Sequence, residues 1–144
     1  MTDRLLLDTH IALWLDSGDQ RLAAATRSLI DTCWQAGGTI YLSAVTAWEI
    51  ALLLDGRRIS LDAPVEAWIE RFLGRPGLTA VPVGINAACR AYQFAELPHR
   101  DPADRLLIAT AIELACPMVT YDERIERFGR AHGRRYGFSV AGRG

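Results

Sequence analysis

Short apolar runs alternate with amphipathic stretches from one end of the chain to the other. Residues 4–7 (Arg-Leu-Leu-Leu) are an apolar run that stops at an acid, the pattern of a buried parallel strand. Residues 11–15 predict a short helical turn, broken by the polar stretch 16–19. Over residues 21–36, Leu22, Ala25, Leu29, Ile30 and Cys33 share one helical face, and Gly37 and Gly38 close that helix. Residues 39–42 are β-branched and aromatic and predict a second strand. Ser43 can cap a helix that runs to about Leu54. Pro64 opens another helix to about Leu73; residues 78–83 predict a third strand, and 86–95 a helix. Asp101 and Pro102 start a strong helix that Cys116 and Pro117 end. Residues 118–121 predict a fourth strand, 123–128 a short helix and 138–140 a fifth strand.

Strands separated by helical segments need crossover connections, hence a parallel sheet covered on both faces. The expected class is α/β, a three-layer α/β/α sandwich with a mostly parallel central sheet. The 144 residues suit one domain over 1–144. A chain of this length buries about 68–70% of its unfolded surface and needs no disulfide or metal merely to fold.

Charge adds an asymmetry. All 16 basic residues are Arg, and residues 123–144 carry net +4 while residues 1–122 carry net −5. A basic C-terminal segment on an acidic body suggests a polyanion or an acidic partner. The absence of lysine excludes a P-loop, which needs its Lys on the phosphates, and Schiff-base chemistry. It also argues against phosphoacceptor and phosphatase-like domains that resemble each other in placing a lysine near the phosphate. Cys33, Cys89 and Cys116 are odd in number and widely spaced, so they are expected to be buried free thiols of a reducing, cytoplasmic setting. No apolar run approaches the ~20 residues of a membrane span.

Four acids stand against apolar sequence. Asp8 and Asp122 follow the first and fourth strands, at the carboxyl edge where function gathers in such sheets. Either could equally be a helix cap. Glu49 is the one charge in the apolar stretch 44–54, a helix expected to be mostly buried, and a buried carboxylate needs neutralisation, an ion pair or a metal. Asp101 is best read as the N-cap of its helix, and Asp104, in the first turn, is free to face the crevice. Four carboxylates meeting there would repel. Mg²⁺ or Mn²⁺ would offset them, the lack of a His/Cys cluster arguing against zinc. Such a site suits metal-assisted phosphodiester cleavage. Trp14, Trp34, Trp48 and Trp68 fall on helices and are expected in packing rather than in base stacking.

Four blocks in order carry a resemblance: residues 6–10 (Leu-Leu-Asp-Thr-His), Ser43 with Trp48, Glu49 and Ile50, residues 99–111 (His-Arg-Asp-Pro-Ala-Asp-Arg-Leu-Leu-Ile-Ala-Thr-Ala), and residues 119–122 (Val-Thr-Tyr-Asp). Together they resemble the PIN-domain ribonucleases, especially the toxins of VapBC-type toxin–antitoxin pairs, over nearly the whole chain. The resemblance implies a PIN-like fold, Mg²⁺- or Mn²⁺-dependent cleavage of RNA, a homodimer, and inhibition by a VapB-like antitoxin. It places the catalytic and metal-binding set on Asp8, Glu49, Asp104 and Asp122, with Thr9, Ser43 and Asp101 in support. Leu53 stands where relatives often carry Lys, and Ala103 where they often carry an aromatic. Arg124, Arg127, Arg130, Arg134 and Arg135 become candidates for holding RNA phosphates. The alternative is a catalytically inactive module of the same fold that acts through protein partners.

Overall fold

The computed structural model describes residues 3–143. Five strands form one parallel sheet in the order β3-β2-β1-β4-β5: β1 (Arg4–Leu7), β2 (Thr39–Ser43), β3 (Leu78–Val81), β4 (Met118–Val119) and β5 (Val140–Ala141). The connections are helical: α1 (Thr9–Ser17), α2 (Ala24–Gln35), α3 (Ala44–Asp55), α4 (Val65–Leu73), α5 (Ile85–Arg90), α6 (Pro102–Leu114) and α7 (Glu123–Tyr136). β1 lies at the centre, and strand alternation sends Leu5 and Leu7 to one face and Leu6 to the other. The first face packs against α1, α2 and α4 through Ile11, Ile30, Trp68 and Phe72, and the second against α6 and α7 through Leu107, Ile108, Ile125 and Phe128. α3 touches both clusters, Val45 one and Ile50 the other. The three-layer, parallel architecture expected from the pattern is thus present.

The differences from expectation each have a physical cause. α7 runs to Tyr136, well past the expected end near residue 128. Gly129 and Gly133 look like breakers in the sequence, but in the helix they lie closest to residues 138–140, which lead into β5. A Cβ on Gly133 would collide with the Phe138 carbonyl oxygen, and one on Gly129 would sit 2.9 Å from Val140 Cγ2. Around this contact Phe94, Phe128, Tyr136 and Phe138 form an aromatic cluster with ring centroids 5.2–5.9 Å apart. The basic C-terminal segment is therefore largely a packed helix. α5 stops at Arg90 instead of 95; the Ala91 carbonyl, which a longer helix would offer to the residue 95 N–H, accepts from the Arg105 guanidinium. β3 ends at Val81, where Pro82 has no N–H to give the ladder.

Two burial expectations fail. α3 is not mostly buried: Trp48 and Leu52, one turn apart, are 53% and 54% exposed, since the helix packs only one side against α1, α4 and α6. Cys33 and Cys116 are buried free thiols, but Cys89 lies exposed on α5. No helix among the described residues is long and apolar enough to cross a membrane.

The α7–β5 contact predicts that Gly133→Ala destabilises the fold by about 1–3 kcal/mol, the usual cost of overpacking, although Ala favours helix over Gly by ~1 kcal/mol. Gly129→Ala meets a side-chain methyl that can move rather than backbone, so its loss is the smaller in urea unfolding.

Candidate active site

β1 and β4 are neighbours, so the residues that leave them emerge side by side at one sheet edge. Asp8 remains on the ladder through its N–H, which donates to Val119 O at 2.9 Å. Its carboxylate is fixed from both oxygens: Oδ1 accepts the Thr9 N–H at 2.7 Å and Oδ2 accepts the Thr120 hydroxyl at 2.7 Å. Thr120 Oγ1 in turn accepts the Asp122 N–H at 3.0 Å, tying the two strand-end acids to one hydroxyl. His10 Nε2 accepts the Tyr121 N–H at 3.0 Å, so the neutral ring carries its proton on Nδ1, 3.6 Å from Asp8 Oδ2.

The other two acids arrive on helices. Glu49 extends from α3 and accepts the Thr9 hydroxyl on Oε1; that hydroxyl also lies 3.2 Å from Thr46 Oγ1. Asp104, in the first turn of α6, has Oδ2 3.0 Å from His99 Nε2. Asp101 caps α6 by accepting the Ala103 N–H at 2.9 Å. Asp8, Thr9, His10, Leu13, Glu49, Leu53, Asp101, Asp104, Asp122 and Arg124 line one open pocket of about 220 Å³.

The strand-end acids cap helices and line the pocket at once. Asp8, Asp101 and Asp122 are the N-caps of α1, α6 and α7, so three helix N-termini aim their positive ends at the pocket. These dipoles compensate the charge only in part. Burial, then the neighbouring Asp8, Asp101, Asp122 and Glu49, push the Asp104 carboxyl up to about 8. Burial likewise raises Asp8, against the pull of His10 and its hydrogen bonds, and raises Glu49, against that of Thr9. Asp122 goes the other way: burial would raise it, but the Arg124 guanidinium and the N–H groups of Arg124 and Ile125 outweigh that and lower it. Arg124 is the one Arg lining the pocket, with Nη2 3.3 Å from Asp122 Oδ2.

Clustered carboxylates, three of them raised by burial, are a donor set suited to Mg²⁺ or Mn²⁺. Among the described residues, no three His, Cys, Asp or Glu side chains already stand close enough to enclose a metal. An open pocket whose ligand candidates are carboxylates fits a cation that keeps several of its waters and takes only a few of them.

The remaining candidates divide. Thr9 is in the pocket, joining Glu49 to the Asp8 turn. Ser43 is not among the lining residues; its Oγ accepts the Val45 N–H and caps α3. Arg124 and Arg127 line a second pocket of about 170 Å³ that adjoins the first through Arg124. Arg130 pairs with Glu126 and Arg135 with Glu96, so both are already engaged. Arg134 is exposed in the last turn of α7 and lines neither pocket. Leu53, where relatives often carry Lys, does face the acids. Thr46, His99, Arg105 and Thr120 were not singled out from the sequence. The local signal for Thr120 was a hydroxyl two residues before an acid at a strand end; Thr46 meets Thr9 from a distant helix, and His99 and Arg105 act through a loop whose path has no sequence signature.

Known proteins place these features in one lineage. Residues 5–131 match the PIN domain family. Ribonuclease VapC22 of Mycobacterium tuberculosis is 32% identical over 121 residues, covering 84% of this chain and 88% of the relative. VapBC2 from Rickettsia felis, solved bound to a DNA fragment from its promoter, superimposes with a TM-score of 0.66 at 15% identity, over 96% of this chain and 98% of that one. DNA-bound VapBC from Salmonella typhimurium gives 0.62 at 21% identity, over 96% and 97%. The chain belongs to the PIN-domain family.

Proposed function

We propose that the protein is a metal-dependent endoribonuclease, the toxin of a VapBC-type pair, with Mg²⁺ or Mn²⁺ as its cofactor and a VapB-like antitoxin as its partner. The observation that carries the reading is the gathering of Asp8, Glu49, Asp104 and Asp122 in one pocket with a single Arg among the lining residues. The ribonuclease identity of the M. tuberculosis relative supports the substrate class. Pairing with an antitoxin is supported by the VapBC relatives.

Asp8, Asp104 and Asp122 would hold the cation, with Glu49 beside them. A divalent ion bound there supplies charge to the phosphate and lowers the pKa of a bound water. The chain's own residues do the rest. Thr9 and Thr120 keep Asp8 in one orientation, so its oxygens need no reorganisation when substrate arrives. Glu49, raised by burial, takes up a proton more readily than a surface carboxylate and suits it to accept one from the attacking water. Arg124 and Arg127, on the groove leading away, would hold RNA phosphates that the acids alone would repel. The half-exposed Trp48 and Leu52 on α3 support the homodimer, since a second copy would cover them. The setting is cytoplasmic in this reading, in keeping with three free thiols.

Cleavage of a structured RNA should require Mg²⁺ or Mn²⁺, and Asp8→Asn should reduce it to the level left by EDTA. Equal cutting by the variant would mean a contaminating nuclease, and a catalytically inactive module then becomes the better account. Arg127→Ala should weaken RNA binding and flatten the log K against log salt slope by about 0.7, the share of one phosphate contact on single strands; filter binding from 50 to 300 mM salt, on the order of the range where such slopes are read, checks this.

The raised Asp104 predicts a pH-dependent stability in the metal-free chain. Its folded-state value, about 8, lies above the unfolded 3.8, so the folded state binds the extra proton. Stability from this group is complete below pH 3.8 and is lost as pH rises through 8. Asp104→Asn should therefore raise the Tm in EDTA at pH 8, with the gain shrinking towards pH 4. A gain of equal size at both pH values would contradict the assignment.

A further inference from the structure

Arg105 follows Asp104 on α6 and is only 3% exposed. Among the described residues its guanidinium has no carboxylate partner. Instead it donates to three backbone carbonyls of one segment: Nη1 to Ala91 O at 3.0 Å, Nη2 to Leu97 O at 2.8 Å, and Nε to His99 O at 3.1 Å. Tyr92 covers the guanidinium carbon at 4.8 Å from its ring centroid. A buried guanidinium satisfied wholly by carbonyls fixes the path of the chain, because moving any one carbonyl strands a donor. The segment fixed in this way is the one that carries His99.

His99 is equally confined. Its side chain is 8% exposed, Nε2 lies 3.0 Å from Asp104 Oδ2, and Nδ1 is buried without a partner. The orphan atom selects the tautomer. A buried N–H without an acceptor is rarer and costlier than a lone pair without a donor, so the proton belongs on Nε2 and the ring donates to Asp104. Oδ1 of Asp104 has no hydrogen-bond donor among the described residues.

We propose that His99, seated by Arg105, is a positioning residue for the metal: it holds one oxygen of Asp104 through Nε2–H and leaves the other for the cation. The inference rests on the metal-dependent reading above and adds to it the group that orients the ligand. A histidine so placed acts as the outer partner of a metal-bound carboxylate, and removal of such partners usually weakens metal binding by about 10–100-fold. Arg105 contributes at one remove, by keeping the His99 carbonyl, and with it the ring, beside Asp104.

The test is Mn²⁺ titration of the full chain without RNA, with free Mn²⁺ followed by electron paramagnetic resonance and Tm measured in EDTA alongside. His99→Ala should raise the Mn²⁺ Kd by about tenfold with little change in the metal-free Tm. His99→Gln, whose amide N–H can occupy the place of Nε2–H, should recover most of the affinity. Arg105→Lys, whose single ammonium cannot reach three carbonyls, should fall between wild type and His99→Ala. Wild-type affinity in His99→Ala overturns the proposal while leaving the metal reading intact, and so does a loss that His99→Gln fails to recover. If the wild-type chain binds no Mn²⁺, the metal reading and this inference fall together.

Discussion

Mutual repulsion among carboxylates at one sheet edge is the constraint that shapes this molecule. Three Asp residues that cap helices line the same pocket as Glu49 and Asp104, and the protein spends much of its local structure on making that tolerable. Helix N-termini supply partial positive charge, Thr9 and Thr120 supply hydrogen bonds to Asp8, and His10 lies 3.6 Å from its Oδ2. Compensation is incomplete, as the rise of Asp104 to about 8 records. A pocket of hard carboxylate oxygens with this much uncompensated charge is what the proposed dication would neutralise.

The same constraint separates the roles of the basic residues. Among the described residues Arg124 is the one guanidinium that lines the acidic pocket, and it does so from the first turn of the helix that Asp122 caps. Arg105 has nearly the same depth in sequence relative to an acid, yet it turns away from the pocket to three carbonyls. One arginine therefore adjusts the charge of the site and the other its shape. Arg130 and Arg135, matched with Glu126 and Glu96, belong to the surface of α7.

Much of this was legible in the sequence because the signals were local. Apolar runs ending in acids gave β1 and the approach to Asp122, and Asp101 with Pro102 marked the start of α6. The same acids could be read as caps or as ligands, and the three-dimensional arrangement makes the alternatives compatible. What stayed hidden depends on contacts through space. Gly129 and Gly133 resemble breakers until β5 is seen beside them. The apolar stretch of α3 gives no hint that one of its sides lacks a neighbour. His99 sits beside Asp104 on a segment whose carbonyls a buried arginine holds, and no spacing rule encodes that hold.

The placement of β1 next to β4 has a consequence for how such a site can change over time. Asp8 is still on the ladder, and Asp122 is tethered to it through Thr120, which leaves the neighbouring strand one peptide-ladder width away, roughly 4.8 Å. That width is common to all β-sheets and indifferent to side-chain identity. Core residues on either face can drift in size and shape without altering the spacing of this pair, whereas the helix-borne Glu49 and Asp104 move with every repacking of α3 and α6. One half of the site is built on a ruler and the other half on a hinge.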